Sequence, residues 1–321
     1  MDASPKTCPG EQMPVACVGH SGVCVSQLGL GCAPLADYFT RIPDQQAIDL
    51  ICYALEKGTN FFDTAPRYGH GLSEQRLGMA LYNVPRERYV LATKVGWLIS
   101  GERMRADFSR DGILRSLESS LKRLGLERVD IVHLHDPDNH YRQALDEAFP
   151  ILAELRAQGV IGAIGAGMNQ WQMLADFARE ADFDCFMMAG RYTLLEQQSL
   201  DFLDLCQARG ISVFLGGVYN TGILATGANP NARYNYRQAP SDVMDRVQQI
   251  ETVCQAYGVP LRSAALQFPL AHPAVASIVI GAESADEFAQ AFEGLCWHIP
   301  PGLWHDLQEL DLIDKTVPIP S

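Results

Sequence analysis

Short, near-continuously apolar runs alternate with longer amphipathic stretches, and this happens eight times along the chain. Runs of that kind suit strands buried on both faces. Amphipathic stretches between them suit crossover helices, so the pattern is that of a parallel α/β sheet. The predicted strands are 28–33, 60–65, 89–95, 130–135, 161–167, 184–189, 211–217 and 277–282; the predicted helices are 44–57, 73–82, 113–124, 142–158, 170–179, 199–209, 242–257 and 284–293. The clearest helix carries Ile113, Leu114, Leu117, Leu121 and Leu124 at helical spacing, behind a capping Ser109 and ahead of Gly125.

Eight strand–helix units predict a closed (β/α)8 TIM barrel, with residues 1–321 forming one domain. The rival, an open doubly wound sheet, needs a glycine-rich fingerprint after an early strand. Leu28-Gly29-Leu30-Gly31-Cys32-Ala33 lacks the third glycine and the helix that should open there. Outside the eightfold count lie an N-terminal hairpin, an irregular loop over 218–240 and two extra helices at 261–271 and 301–314. The hairpin pairs 15–18 with 23–25 across His20-Ser21-Gly22 and plugs the barrel's bottom.

A formal net charge of −13 excludes nucleic acid and anionic membrane as main partners, since both need clustered cations. No run approaches a membrane span and Met1-Asp2-Ala3 opens no secretory signal, so a cytoplasmic protein is expected. Nine scattered cysteines without Cys-x-x-Cys spacing read as reduced, packing thiols. A small-molecule enzyme fits this balance, and a homo-oligomer stays open.

In such a barrel the site lies where strands end and βα loops begin. Asp63, Lys94 and His135 end three successive predicted strands, and Tyr68 sits in the loop after the first of these. Buried Asp and Lys imply mutual compensation or function. An ammonium beside a phenol favours the phenolate, so Tyr68 would exchange a proton near neutral pH, with Asp63 holding Lys94 and His135 orienting an oxygen of the substrate. Other readings are a purely structural Asp63–Lys94 ion pair and a Schiff-base Lys94, the latter opposed by Asp63. His133-x-His135 has the spacing of a zinc pair, yet the later strand ends offer no further ligand, so no metal is expected and His133 is read as a hydrogen-bonded residue one layer deeper. Those ends are glycine-rich: Gly165-Ala166-Gly167, Ala189-Gly190, Gly216-Gly217 and Gly281-Ala282. They either save space or admit a ligand close to the backbone. The last leads into a helix whose free amides suit a phosphate.

These segments together resemble the aldo-keto reductases over nearly the whole chain. Asn60-Phe-Phe-Asp-Thr-Ala-Pro-Arg-Tyr-Gly69 with Ser73-Glu74, Thr93-Lys94, and Asp130-Ile-Val-His-Leu-His-Asp-Pro137 look like the family's tyrosine, lysine and histidine segments. The resemblance implies hydride transfer with a nicotinamide and no metal, with Tyr68 as acid/base, Asp63 and Lys94 tuning it, and His135 orienting substrate. It implies that Gly31, Cys32, Ala33 and Asp63 lie near the nicotinamide ribose and that Asn169 holds the carboxamide. Arg191, Gly216, Gly217, Gly281, Ala282, Glu283 and Glu287 complete the expected cofactor set. Met168 replaces the family's usual Ser, its usual later Gln is lost within Ala189-Gly190-Arg191, and Gly216-Gly217 stand where a stacking aromatic is common, leaving Tyr219 as a substitute.

Within the family, segments such as Gly190-Arg-Tyr-Thr-Leu-Leu-Glu196 look most like aldose 1-dehydrogenases of the D-threo-aldose or L-fucose type, with L-galactose and pyridoxal dehydrogenases also similar. The reaction implied is oxidation of an aldose's anomeric carbon to a lactone. Alternatives are aldehyde or ketone reduction (or pyridoxal oxidation) by the same groups, and a nicotinamide-sensing regulatory subunit. Glu283, Asp286 and Glu287 would repel a 2′-phosphate, which favours NAD over NADP; the same acids also suit a helix N-terminus. Trp97, Trp171, His140, Tyr141 and Asp138 fall in loops at the same end and are candidates for lining a sugar pocket.

Overall fold

The computed structural model describes residues 13–38, 40–101 and 103–320. Its eight short apolar runs are strands β1 (Leu28–Gly31), β2 (Phe61–Asp63), β3 (Val90–Val95), β4 (Val129–His135), β5 (Ile161–Met168), β6 (Cys185–Ala189), β7 (Ser212–Gly216) and β8 (Val275–Gly281). They are parallel and close into a barrel, β8 returning to β1 with Ile278 opposite Leu28 and Gly281 opposite Gly31. Around it lie α1 (Asp44–Glu56), α2 (Leu72–Leu81), α3 (Arg110–Leu124), α4 (Phe149–Ala157), α5 (Trp171–Glu180), α6 (Leu200–Ala208), α7 (Ser241–Ala256) and α8 (Ala285–Cys296). This is the expected (β/α)8 architecture. The ends of α3 show how sequence sets them: Ser109 Oγ accepts from the Gly112 amide at 3.1 Å, and Gly125 closes the helix at φ 69°.

Strand periodicity divides the core in two. Val132 and Leu134 of β4 belong to the shell packed under the helices, whereas Ile131 belongs to an inner cluster with Phe61, Ala92, Ala163, Cys185 and Phe214. That inner cluster is closed below by Val18 and Val25, both fully buried, from the N-terminal hairpin. The hairpin pairs Val15–Cys17 with Cys24–Ser26, as expected. With the bottom plugged, the inward positions higher on the strands are left for chemistry.

Several expectations need correction. The stretch 218–240 is not featureless: it holds a short helix, Ile223–Thr226, and a small ribbon, Arg233–Tyr234 against Arg237–Gln238. The loop after β3 folds into an unanticipated hairpin, Trp97–Ser100 with Arg103–Ala106. The helix expected over 142–158 begins at Tyr141 and is interrupted by a π-helical turn at Ala144–Ala148 before α4. The two extra helices are present as Leu261–Gln267, ending in a tighter turn over Phe268–Ala271 that holds Pro269, and Pro301–Glu309. Cys17, Cys24, Cys32, Cys52, Cys185, Cys206 and Cys254 are free thiols, as expected, whereas Cys296 is disulfide-bonded, which corrects the reading of nine reduced cysteines at that position. Cys8 lies outside the described residues. Among the described residues no helix is long and apolar enough to cross a membrane.

Candidate active site

Period-two alternation aims Asp63, Lys94, His133 and His135 into the barrel, with Lys94 beside His133 and His135 beside Gly167 in register. Tyr68 arrives from a tight turn, Tyr68–Gly71, in which Gly69 and His70 adopt φ 60° and 54°. A side chain at Gly69 would also run into the Ala36 carbonyl, 2.9 Å from an added Cβ. Lys94 Nζ then donates to Asp63 Oδ2 at 2.5 Å, to the Thr64 carbonyl at 3.0 Å and to Tyr68 Oη at 3.1 Å. The His135 ring stands edge-on to the Tyr68 ring, centroids 5.9 Å apart.

The Asp63 and Lys94 side chains are only 3% and 2% exposed, so each charge depends on the other. Burial raises the Asp63 carboxyl above its ordinary value, with Lys94 opposing. Burial works against the Lys94 ammonium, but Asp63 and Tyr68 outweigh it and hold the proton firmly. For Tyr68 the balance is the reverse of the expectation. Burial dominates and pushes the phenol up to about 12, Lys94 pulls down, and Asp63 adds to the rise. In this arrangement Tyr68 therefore keeps its proton at neutral pH. His135 is held neutral, far below its ordinary value, by burial and then by Lys94 and Arg67.

His133 lies one layer deeper, fully buried against Gly165 and edge-on to Phe214. Both its ring nitrogens lack hydrogen-bond partners among the described residues, which corrects the expectation of a hydrogen-bonded histidine. Burial keeps it uncharged beside Lys94. No group of three potential metal ligands occurs among the described residues.

The second half of the rim separates its glycines into two kinds. An added Cβ at Gly165 would fall 2.3 Å from His133 Nδ1 and one at Gly281 2.9 Å from Pro34 Cγ, so these save space. At Gly216 and Gly167 the nearest protein atom would be 3.9 and 3.6 Å away, so a methyl group would fit without a clash, and Gly190, also 3.9 Å from its nearest neighbour, is required by its φ of 68°. Asn169, Gly190, Arg191, Gly217 and Asn220 line one cleft there. Asp63 Oδ1 and Asn220 Oδ1 are buried without partners and look for donors. Buried acceptors without partners, beside a rim of glycine backbone, fit the donors of a nicotinamide nucleotide, its ribose hydroxyls and carboxamide.

Gly31 pairs with Asp63 at the start of the rim, and Cys32 is fully buried, its amide donating to the Asp63 carbonyl. Ala33 follows at the entrance to the turn Pro34–Ala36. Arg191 is committed locally, to Glu196 at 3.2 Å and to Asn235. At the end of β8, Ala282 is buried and the Glu283 amide is already bonded to Glu287 Oε2 at 2.8 Å, so the amide expected to be free for phosphate is capped from within the chain.

The aromatic candidates disperse. Trp97 donates its indole N–H to the His135 carbonyl and carries Arg67 over its ring. Trp171 lines a cavity of about 580 Å³ with Asn169, Arg191 and Tyr234. His140 packs on Phe108, Tyr141 stacks on Phe177 while bonding Glu180, and Asp138 accepts from Gln170. Sequence reasoning passed over Arg67 and Asp136, which form a 2.6 Å ion pair at the mouth, with Asp136 Oδ2 3.8 Å from His135 Nε2. The signal available was their position, each next to a tetrad residue.

The family profile described as "Aldo/keto reductase family" matches residues 27–309. A D-threo-aldose 1-dehydrogenase from Pseudomonas sp is 38% identical over 91% of this chain and 96% of its own length. A pyridoxal 4-dehydrogenase from Microbacterium luteolum is 37% identical over 92% and 97%. The holo form of aldo-keto reductase AKR11C1 from Bacillus halodurans superposes with a TM-score of 0.80 at 27% identity, covering 95% of this chain and 98% of that one. An eight-stranded barrel with this profile and these relatives belongs to the aldo/keto reductase family of oxidoreductases.

Proposed function

We propose that the protein is an NAD-dependent aldose 1-dehydrogenase, with Tyr68 as its acid/base, Lys94 and Asp63 as the groups that tune Tyr68, and His135 as the orienting donor or acceptor. One observation carries this reading: the Lys94 ammonium, anchored by Asp63, lies 3.1 Å from the Tyr68 hydroxyl at the open end of the barrel. Nicotinamide, when bound, supplies the hydride acceptor or donor. Gly31, Cys32, Ala33, Asp63, Asn169, Gly190, Gly216, Gly217 and Asn220 are the residues proposed to hold it. On the oxidative side, Tyr68 as phenolate takes the proton of the anomeric hydroxyl while C1 loses its hydrogen with the electron pair, and the C1–O bond becomes the lactone carbonyl. Lys94 stabilises that phenolate. His135, neutral, hydrogen-bonds the same oxygen and competes for no proton of its own.

Supporting NAD over NADP, the cavity of about 410 Å³ beside the start of α8 is lined by Gln45, Gln46, Asp49, Ser284 and Asp286 and by no cation among its described residues. A 2′-phosphate there would meet carboxylates. The ratio of kcat/KM for the two cofactors tests this, and a preference for NADP overturns it.

A second reading has an observation in its favour. The protonated Tyr68, with its phenol pushed up to about 12, is ready to deliver a proton to a carbonyl oxygen, as reduction requires. Incubating the protein with NAD and L-fucose, D-arabinose, L-galactose or pyridoxal, and in parallel with NADH and small aldehydes, separates the readings. Rapid NADH formation on an aldose supports the first. Turnover only of pyridoxal or only in the reductive direction replaces it.

A further inference from the structure

The mouth of the site carries two opposite charges that the acid/base step does not use. Arg67 Nη1 lies 2.6 Å from Asp136 Oδ2, and both side chains keep about a third of their surface open, at 35% and 34%. Each follows or precedes a tetrad residue directly. Asp136 Oδ2 lies 3.8 Å from His135 Nε2. Arg67 is held from three sides: its guanidinium lies over the Trp97 ring at 4.3 Å, its carbonyl accepts from Tyr38 Oη at 2.5 Å, and Asp136 takes its Nη1. Asp136 in turn adopts φ 44°, a left-handed conformation unusual for a residue other than glycine, while its amide bonds the Gly167 carbonyl at 3.0 Å. A backbone held this way fixes the carboxylate at the rim.

Resting on the aldose reading, we propose that Arg67 and Asp136 form a specificity clamp for the hydroxyl on the carbon next to the one that reacts, so that the site selects neutral α-hydroxy substrates. The chemistry follows from the pairing. A hydroxyl is donor and acceptor at once, so it accepts from a guanidinium N–H and donates to the carboxylate without disturbing the charge balance. An anionic substrate at the same place meets Asp136, and a cationic one meets Arg67. A substrate whose reacting oxygen sits between Tyr68 and His135 carries its neighbouring hydroxyl toward Asp136, because Asp136 and His135 are adjacent on the chain and their polar atoms are 3.8 Å apart. Pyridoxal has no hydroxyl on the carbon next to its aldehyde carbon and gains nothing from the clamp.

The test compares kcat/KM for the fastest aldose of the panel and for its 2-deoxy counterpart, in the unmodified enzyme and in Asp136→Asn, Arg67→Met and Arg67→Lys. Asn tolerates the left-handed backbone of residue 136, so that variant keeps the fold, and NADH binding with an unchanged circular dichroism spectrum checks each protein. A hydrogen bond to a charged group supports roughly a ten- to hundredfold preference for the full sugar in the unmodified enzyme. The preference, taken as the ratio of the two kcat/KM values within each protein, falls below about threefold in Asp136→Asn and Arg67→Met and is partly retained in Arg67→Lys, activity on the full sugar falling more than activity on the 2-deoxy sugar. A preference that persists undiminished in folded Asp136→Asn and Arg67→Met overturns the clamp and leaves the aldose reading standing. Failure of the unmodified enzyme to oxidise any aldose overturns both.

Discussion

The rim of the barrel is built in two ways. The ends of β2, β3 and β4 project Asp63, Lys94 and His135 inward, and the loop between the first two of these strands adds Tyr68. The ends of β5, β6 and β7 project almost nothing, closing on Gly167-Met168, Ala189-Gly190 and Gly216-Gly217. One side of the cylinder therefore contributes charged side chains in fixed positions, and the other contributes room and backbone. The difference matches two physical demands: proton transfer needs groups held by their neighbours, whereas a flat nucleotide needs a surface that side chains leave clear.

The most damaging way to break this division is to remove the cation from the polar side. Lys94→Met leaves Asp63 buried without its counter-charge, and breaking such a pair costs about 3–5 kcal/mol. The expected result is a large drop in Tm together with loss of turnover. The double variant Lys94→Met/Asp63→Leu should recover much of the stability and none of the activity, which thermal melts and NADH absorbance will show. Stability that fails to recover would mean that the pair holds the barrel together by more than mutual compensation.

Tyr68→Phe acts on the same side with a narrower effect. It removes the transferable proton and one hydrogen bond to Lys94 while keeping the ring. A fall in kcat of at least about a hundredfold is expected, the lower end for acid/base catalysis, with NADH binding and Tm close to normal. Near-normal turnover in this variant would remove Tyr68 from the mechanism.

The pH profile should separate the two directions. The Tyr68 phenol is pushed up to about 12, so from neutral pH upward the phenolate fraction rises about tenfold per unit and oxidative kcat/KM rises with it. Reduction uses the protonated form and should stay flat over the same range. His135, held neutral by burial, adds no limb between pH 6 and 8, in line with a shift well below 6.5. An oxidative rate that falls on the alkaline side would point to a different base.

The two sides also differed in how far the sequence disclosed them. Strand positions follow from the short apolar runs, and the places of Asp63, Lys94 and His135 at the ends of three successive predicted strands aim them at one space in the sequence alone. The sign of the Tyr68 shift did not follow, because it depends on how much water burial excludes, and spacing carries no such information. Arg67 and Asp136 are present in the quoted segments, yet they lie on different βα loops, so nothing in their spacing announces that they pair. The acids near Glu283 were read as one electrostatic feature, whereas Glu287 is spent on the Glu283 amide and the open carboxylates beside the cavity are Asp49 and Asp286. The glycines were ambiguous for the same reason: composition marks them, and only their neighbours tell whether they make room for protein or for ligand.

That ambiguity gives the finest test of the comparison, since Gly165, one layer below the rim, and Gly216, at it, should respond oppositely to the same methyl group. At Gly165 the added carbon meets His133 Nδ1 at 2.3 Å and the Cys185 carbonyl at 2.8 Å, and neither a buried ring nor a strand backbone can retreat far. Overpacking of this kind costs about 1–3 kcal/mol, so Gly165→Ala should lower Tm while leaving KM for NAD nearly unmoved in the protein that remains folded. At Gly216 the nearest atom is Ala189 Cβ at 3.9 Å, so the methyl group enters space that protein does not use. Gly216→Ala should keep or slightly raise Tm by restricting the unfolded chain, yet raise KM for NAD several-fold with kcat little changed. If Gly216→Ala instead lowers Tm and spares KM, the open room above β7 serves the protein's own packing, and the cofactor cradle belongs elsewhere on the rim.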